Sequence, residues 1–251
     1  MGFLFKRSEE SAPPAIEPAA NAFPQLGNAD IGAMILGQRA EGDFYDSIRV
    51  SPRHVLFGLL DVAGHREDMQ PILSEAQQVF RDLGTQLLSK PEVNEAEALT
   101  ELFIQLNRSI LDVAGGVRAC PAFAGCYNEE LGVVFYVNAG HTPGLVRHSP
   151  STTQLEATGL PLGLFTHATW DAPLIALEPD AALLLVSRGV VEVKRDGEEF
   201  GLAGVEAALE KAPESSANAL CAGILKAAHE YAGAEENDLT ALALMRHPAK
   251  I

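Results

Sequence analysis

Two carboxylates stand where apolar chain stops. The run at 55–60, Val-Leu-Phe-Gly-Leu-Leu, ends abruptly at Asp61 within LLDVAGHRED (59–68). Upstream, AEGDFYDSIRV (40–50) sets Glu41, Asp43 and Asp46 around a glycine and two aromatics. A carboxylate at a strand end is costly to bury unless charge compensates it, so Asp43 and Asp61 each call for a cation or a cap. Two histidines are candidates for proton chemistry. His141 follows Asn-Ala-Gly, where an imidazole either acts as a general acid or hydrogen-bonds backbone and shapes the turn. His65 lies just beyond Asp61 and carries the same pair of readings as a loop residue. Arg39, four residues before Asp43, can approach an anion or form a surface ion pair. No His-x-x-x-His or paired Cys/His spacing supports zinc.

The elements that position these groups follow from periodicity. Strands are expected at 34–35, 47–50 and 54–60, with Ser-Pro-Arg-His (51–54) as the turn between the last two. Apolar residues at 69, 72, 73, 76, 79, 80, 83 and 87 predict a helix over 69–88, in which Pro71 fits only within the first turn. Asn94 with Glu97 makes a capping-box-like start for a second helix, whose stripe is Ala98, Leu102, Leu106, Ile110 and Val113. Gly115-Gly116 stops it. Strands at 119–127 and 133–138 flank the hairpin signal NEELG, and Cys120 and Cys126 share a face of the first as core thiols. Further strands are expected at 144–147, 170–177 and 182–187, then helices at 205–210 and 216–231, then a strand at 239–245. Blocks of strands and helices segregated in this way indicate an α+β fold.

Composition narrows the partners. The 251 residues carry a formal charge of -16, from 34 acidic against 18 basic side chains, so nucleic acid and anionic membrane are disfavoured. Hydrophobic residues make up 47%, enough for a substantial core. The three cysteines, without a C-x-x-C, point to a reducing cytoplasm rather than a disulfide framework. The apolar run before Lys6 and Arg7 is too short for a signal peptide or a membrane span, and Pro, Ala and Glu dominate after it. Residues 1–25 are therefore expected to be a disordered tail, with one domain over 26–251.

Seven motifs recur in a familiar order: GDFYD (42–46), DVAG (61–64), NAGHTPGL (138–145), GLPLGL (159–164), LLLVSRGVVE (183–192), GEEFG (197–201) and ENDLTALAL (236–244). Together they resemble the SpoIIE/RsbU branch of the metal-dependent, type 2C-like (PPM) serine phosphatases. The resemblance implies a four-layer αββα sandwich with a metal site at one end of its two sheets. Bacterial members of that branch dephosphorylate a phosphoserine on STAS-type anti-sigma-factor antagonists. It further implies that Asp61, the carbonyl of Val62 and Asp43 face Mn²⁺ or Mg²⁺, hard cations that prefer oxygen ligands. In such a site, two ions make a bridging water nucleophilic near neutral pH.

Two ligand positions depart from that pattern. Arg188, in Ser187-Arg188-Gly189-Val190, stands where the family has an aspartate ligand, and Asn237 stands where it has another. Asp238 is one residue off and, on a strand, would point to the opposite face. Asp43 and Asp61 bring two negative charges, Asn237 none and Arg188 one positive, leaving room for one divalent ion at most. A guanidinium can pair with Asp43 or Asp61 or clamp a phosphate, but it cannot lower the pKa of bound water as a metal does. Two readings stay open. One is a hydrolase with a single ion and Arg188 gripping phosphate; the other is a pseudophosphatase that holds a phosphoprotein without turnover.

Overall fold

The computed structural model describes residues 16–18, 23–37, 43–62, 66–233 and 238–248. In chain order the first strands are β1 (Ile16–Pro18), β2 (Ala29–Leu36), β3 (Asp43–Arg49) and β4 (His54–Asp61). Two long helices follow, α1 (Arg66–Leu88) and α2 (Glu95–Ala114). Next come β5 (Ala122–Asn128), β6 (Val133–Ala139), β7 (Gly144–His148), β8 (Ser151–Leu155), β9 (Leu174–Ala176) and β10 (Ala182–Val186). The short helix α3 (Arg188–Glu192) precedes a hairpin, β11 (Lys194–Arg195) with β12 (Glu198–Glu199). Helices α4 (Gly201–Lys211) and α5 (Ala217–Ala232) lead to the last strand, β13 (Leu239–Arg246).

The strands form two antiparallel sheets, ordered β3-β4-β5-β6-β9 and β1-β2-β13-β10-β7-β8. Alternation along each strand explains why the sheets stack. On β4, Val55, Phe57 and Leu59 enter the core between the sheets, while Leu56 and Leu60 enter the core under α1 and α2. On β13, Leu242 and Leu244 face the gap between sheets, and Leu239, Ala241 and Ala243 face α4 and α5. Three apolar cores separating four layers make the αββα sandwich, an α+β fold, as the sequence predicts. Every residue of β4 is buried, because its sheet is covered on both faces.

Several boundaries differ, each for a physical reason. Helix α1 begins at Arg66, so Pro71 lies in its second turn, where its missing N–H forgoes one backbone bond. The fully buried stripe of α2 ends at Ile110, and Val113 points to solvent. Its start is as expected: the Asn94 side chain accepts the Glu97 N–H at 3.3 Å. The strand expected over 170–177 shrinks to Leu174–Ala176, since Trp170 turns inward and donates its indole N–H to Leu160 O at 2.8 Å. Strand β5 starts at Ala122; Cys120 precedes it but is buried with Cys126 in the helix-side core. The polar edge strand β8 and helix α3 have no periodicity to announce them. Within the segment expected to be a disordered tail, Ile16–Pro18 instead pairs with β2 as an edge strand. Among the described residues, no helix is long and apolar enough to cross a membrane.

Candidate functional site

Asp61 closes β4 at one end of the sandwich. It shares the parity of Val55, Phe57 and Leu59, so its side chain faces the gap between the sheets and is 8% exposed. Its N–H donates to Pro121 O at 2.9 Å, fixing the strand end against the approach to β5. The β3–β4 register sets Asp43 directly opposite Asp61. The side chain of Asp43, and all of Arg39, His65 and Asn237, lie outside the described residues. Val62 buries its side chain in the helix-side core, so a backbone group is all it can offer the site.

The opposite wall comes from the end of β10. Ser187 is clamped to β13 twice: its N–H donates to Thr240 O at 2.9 Å, and its Oγ accepts the Thr240 N–H at 3.1 Å. The next residue opens α3. Gly189 is required there, because a Cβ at that position would meet Asp238 O at 2.5 Å. This close approach aims Arg188 across the gap, and its Nε lies 3.6 Å from Asp61 Oδ2. The same nitrogen is 3.7 Å from Glu192 Oε1, one helical turn on. Half of the Arg188 side chain is exposed (51%), so the guanidinium is an adjustable counter-ion.

Burial pushes the Asp61 carboxyl above its ordinary value; Arg188 pulls it down and Glu192 pushes it further up. One guanidinium therefore compensates this carboxylate incompletely. Among the described residues, no three His, Cys, Asp or Glu side chains gather as metal ligands. The Arg188 guanidinium thus places a positive charge beside the Asp61 and Glu192 carboxylates at the mouth of the gap.

Asp238 was expected on the wrong strand face, but β13 begins only at Leu239, so alternation does not reach it. Its carboxylate lies against Gly37, whose φ of 125° and lack of a side chain admit it. His141 is held by its turn: its N–H donates to Asn138 Oδ1 at 2.8 Å. Thr142 Oγ donates to Val186 O at 2.6 Å, so its own oxygen accepts from His141 Nδ1 at 3.0 Å. That tautomer leaves Nε2 without a hydrogen, and burial pushes the imidazole pKa down to about 4. Through these contacts His141 and Thr142 tie the Asn-Ala-Gly-His turn to the strand end preceding Arg188. Asp46 is fully buried on β3, where its Oδ1 accepts both the Ser47 N–H at 2.8 Å and Nη2 of Arg81, from α1, at 2.8 Å. Cys120 stays a thiol, pushed up to about 11 mainly by burial. Sequence reasoning missed Glu192, although its i+4 spacing from Arg188 was the available signal.

Two stacked antiparallel sheets between helical layers, with Asp61 at the mouth of the gap, define the fold of the type 2C (PPM) protein phosphatases. The chain belongs to the SpoIIE family: the model for stage II sporulation protein E (SpoIIE) matches residues 51–247. It is similar to phosphoserine phosphatase RsbP of Bacillus subtilis (strain 168), with 27% identity over 152 residues. That match covers 60% of this chain and 36% of RsbP, so it spans about a third of that relative. Among solved structures it resembles the RsbU and RsbW domains of Rv1364c from Mycobacterium tuberculosis, with a TM-score of 0.72 and 24% identity. That likeness covers 92% of this chain and 65% of the other. The SiaA-PP2C domain of Pseudomonas aeruginosa has a TM-score of 0.69 at 14% identity, covering 86% of each chain. The catalytic domain of the serine/threonine protein phosphatase PstP, solved with 2 manganese ions, has a TM-score of 0.63 at 14% identity and covers 88% of this chain and 100% of that one. The chain thus lies in the SpoIIE/RsbU-like branch of the PPM phosphatases.

Proposed function

We propose that residues 26–251 form a SpoIIE-type domain that binds a phosphoserine-bearing regulatory protein of the STAS type in the cytoplasm and holds it without hydrolysis. The carrying observation is the 3.6 Å approach of Arg188 to Asp61 at the position where the family pattern has a metal-ligating aspartate. A guanidinium offers phosphate a planar pair of donors, which suits recognition, but it does not generate a nucleophilic water. Arg188, half exposed at the mouth of the gap, is the phosphate contact, and Arg39 is a second candidate.

The other reading is a degenerate hydrolase that holds one Mn²⁺ or Mg²⁺ through Asp43, Asp61 and the Val62 carbonyl. It is favoured by the β3–β4 register, which sets Asp43 directly opposite Asp61 at the end of the sheet. The two separate in one experiment. A phosphoserine STAS domain is incubated with the protein and Mn²⁺, and both complex formation and phosphate release are measured. Binding that depends on the phosphate, without release, supports the holding function. Phosphate release that is lost in Asp61→Asn refutes it in favour of the hydrolase, and absence of both refutes the phosphoprotein reading.

A further inference from the structure

A second cluster of reactive side chains lies at the far end of β4, seven residue steps from Asp61 and about 23 Å away at the usual strand rise. Ser51 Oγ is 2.9 Å from His54 Nδ1, and His54 Nε2 is 2.9 Å from Glu95 Oε1. Glu95 is the first residue of α2. Asn128, the last residue of β5, donates through Nδ2 to the same carboxylate oxygen at 3.0 Å. The Asn128 Oδ1 accepts the Leu131 N–H at 3.1 Å, which sets the orientation of the amide.

An ionised carboxylate only accepts, so the imidazole proton resides on Nε2 and points at Glu95, and Nδ1 is left to accept the Ser51 hydroxyl. Two backbone N–H groups, of Arg53 at 3.3 Å and His54 at 3.1 Å, approach Ser51 Oγ. Asn128 Nδ2 also lies 3.1 Å from Nε2, but that nitrogen's hydrogen is committed to Glu95, so the amide serves the carboxylate. Burial pushes Glu95 upward, yet the Asn128 amide, its own backbone N–H and His54 together hold it below the ordinary range, and it stays ionised. The turn itself is braced: Arg53 Nη2 donates to Pro91 O at 2.7 Å, and Nη1 pairs with Glu130 at 3.3 Å. His54 is 2% exposed, whereas Ser51 is half-buried and reachable from solvent.

We propose that Ser51 is an activated nucleophile, with His54 as its base and Glu95 orienting the imidazole, able to take a small electrophilic ester or phosphonate. Hydroxyl, base and orienting carboxylate in hydrogen-bonded series are the arrangement that activates a serine. With a fluorophosphonate, Ser51 Oγ bonds to phosphorus as the P–F bond breaks. Fluoride leaves, and the hydroxyl proton passes to His54 Nδ1 and then to water. The two N–H groups aimed at Oγ stabilise the negative charge as that proton departs.

The test is labelling of the full chain with a fluorophosphonate reagent, read by intact mass and peptide mapping. One adduct on Ser51 is expected, absent in Ser51→Ala and formed about a hundredfold more slowly in Glu95→Gln. Melting curves of both variants establish that they are folded, so buried His54 need not be mutated. No adduct on Ser51, or labelling at an unchanged rate in Glu95→Gln, overturns the proposal. The outcome does not depend on what happens at Asp61.

Discussion

Replacing Arg188 with glutamine removes the charge that stands beside Asp61 and keeps most of the side chain's bulk. At 3.6 Å, two unit charges interact by about 1 kcal/mol in water's dielectric and about 2 kcal/mol at half that value. The lower figure is the better guide, because half of the Arg188 side chain is in solvent. A divalent ion seated at Asp61 would meet twice the charge, so the guanidinium opposes it by about 2 kcal/mol. Arg188→Gln should therefore tighten Mn²⁺ binding about 30-fold. The assay is calorimetric titration of Mn²⁺ into metal-stripped protein, with Asp61→Asn in the same background as control. An affinity within about threefold of the parent, or a gain that survives Asp61→Asn, would refute the idea that Arg188 occupies the cation's place. The double replacement Arg188→Asp with Asn237→Asp extends the reasoning. It restores both acidic positions of the family pattern and should bring phosphatase activity with it.

Two other perturbations probe the scaffold around that pair. His141 is held neutral in the folded chain, at about 4 against an ordinary 6.5, so the unfolded chain takes up a proton that the folded one refuses. Stability is then present above pH 6.5 and falls as the pH drops toward 4, by about 3 kcal/mol in full. His141→Gln should flatten that loss, measured as urea midpoints at pH 7 and pH 4.5; parallel losses in both proteins would contradict it. Gly189→Ala drives a methyl into Asp238 O and should cost about 1–3 kcal/mol, seen as a lower melting temperature. An unchanged melting temperature would mean that the backbone before β13 yields and that Arg188 is not aimed by this contact.

Local chemistry was legible wherever one segment decides its own fate. The Asn94 cap, the αL Gly115 that ends α2 and the alternation along β4 and β13 all appear where the pattern predicts. Local signals misled where packing overrides them. Trp170 reads as the start of a strand until its indole finds Leu160 O, and Val113 reads as core although the fold leaves it exposed. Nothing local to Asp46 shows that Arg81, on α1, lies above it.

The amino-acid sequence alone determined the α+β class, through side-chain period, and the family, through the resemblance of its ordered motifs. That resemblance, not period, implied the four-layer sandwich and the expectation that Arg188 and Asn237 stand at acidic positions. Only the tertiary structure decided which groups those residues meet. Arg188 touches Asp61 because β10 and β4, in different sheets, end at the same mouth. Ser51-Pro-Arg-His54 is merely a turn in sequence; it becomes a proton relay because α2 brings Glu95 to His54 from 41 residues away. Charge pairing at such distances depends on a few ångströms of separation, and no local pattern encodes that.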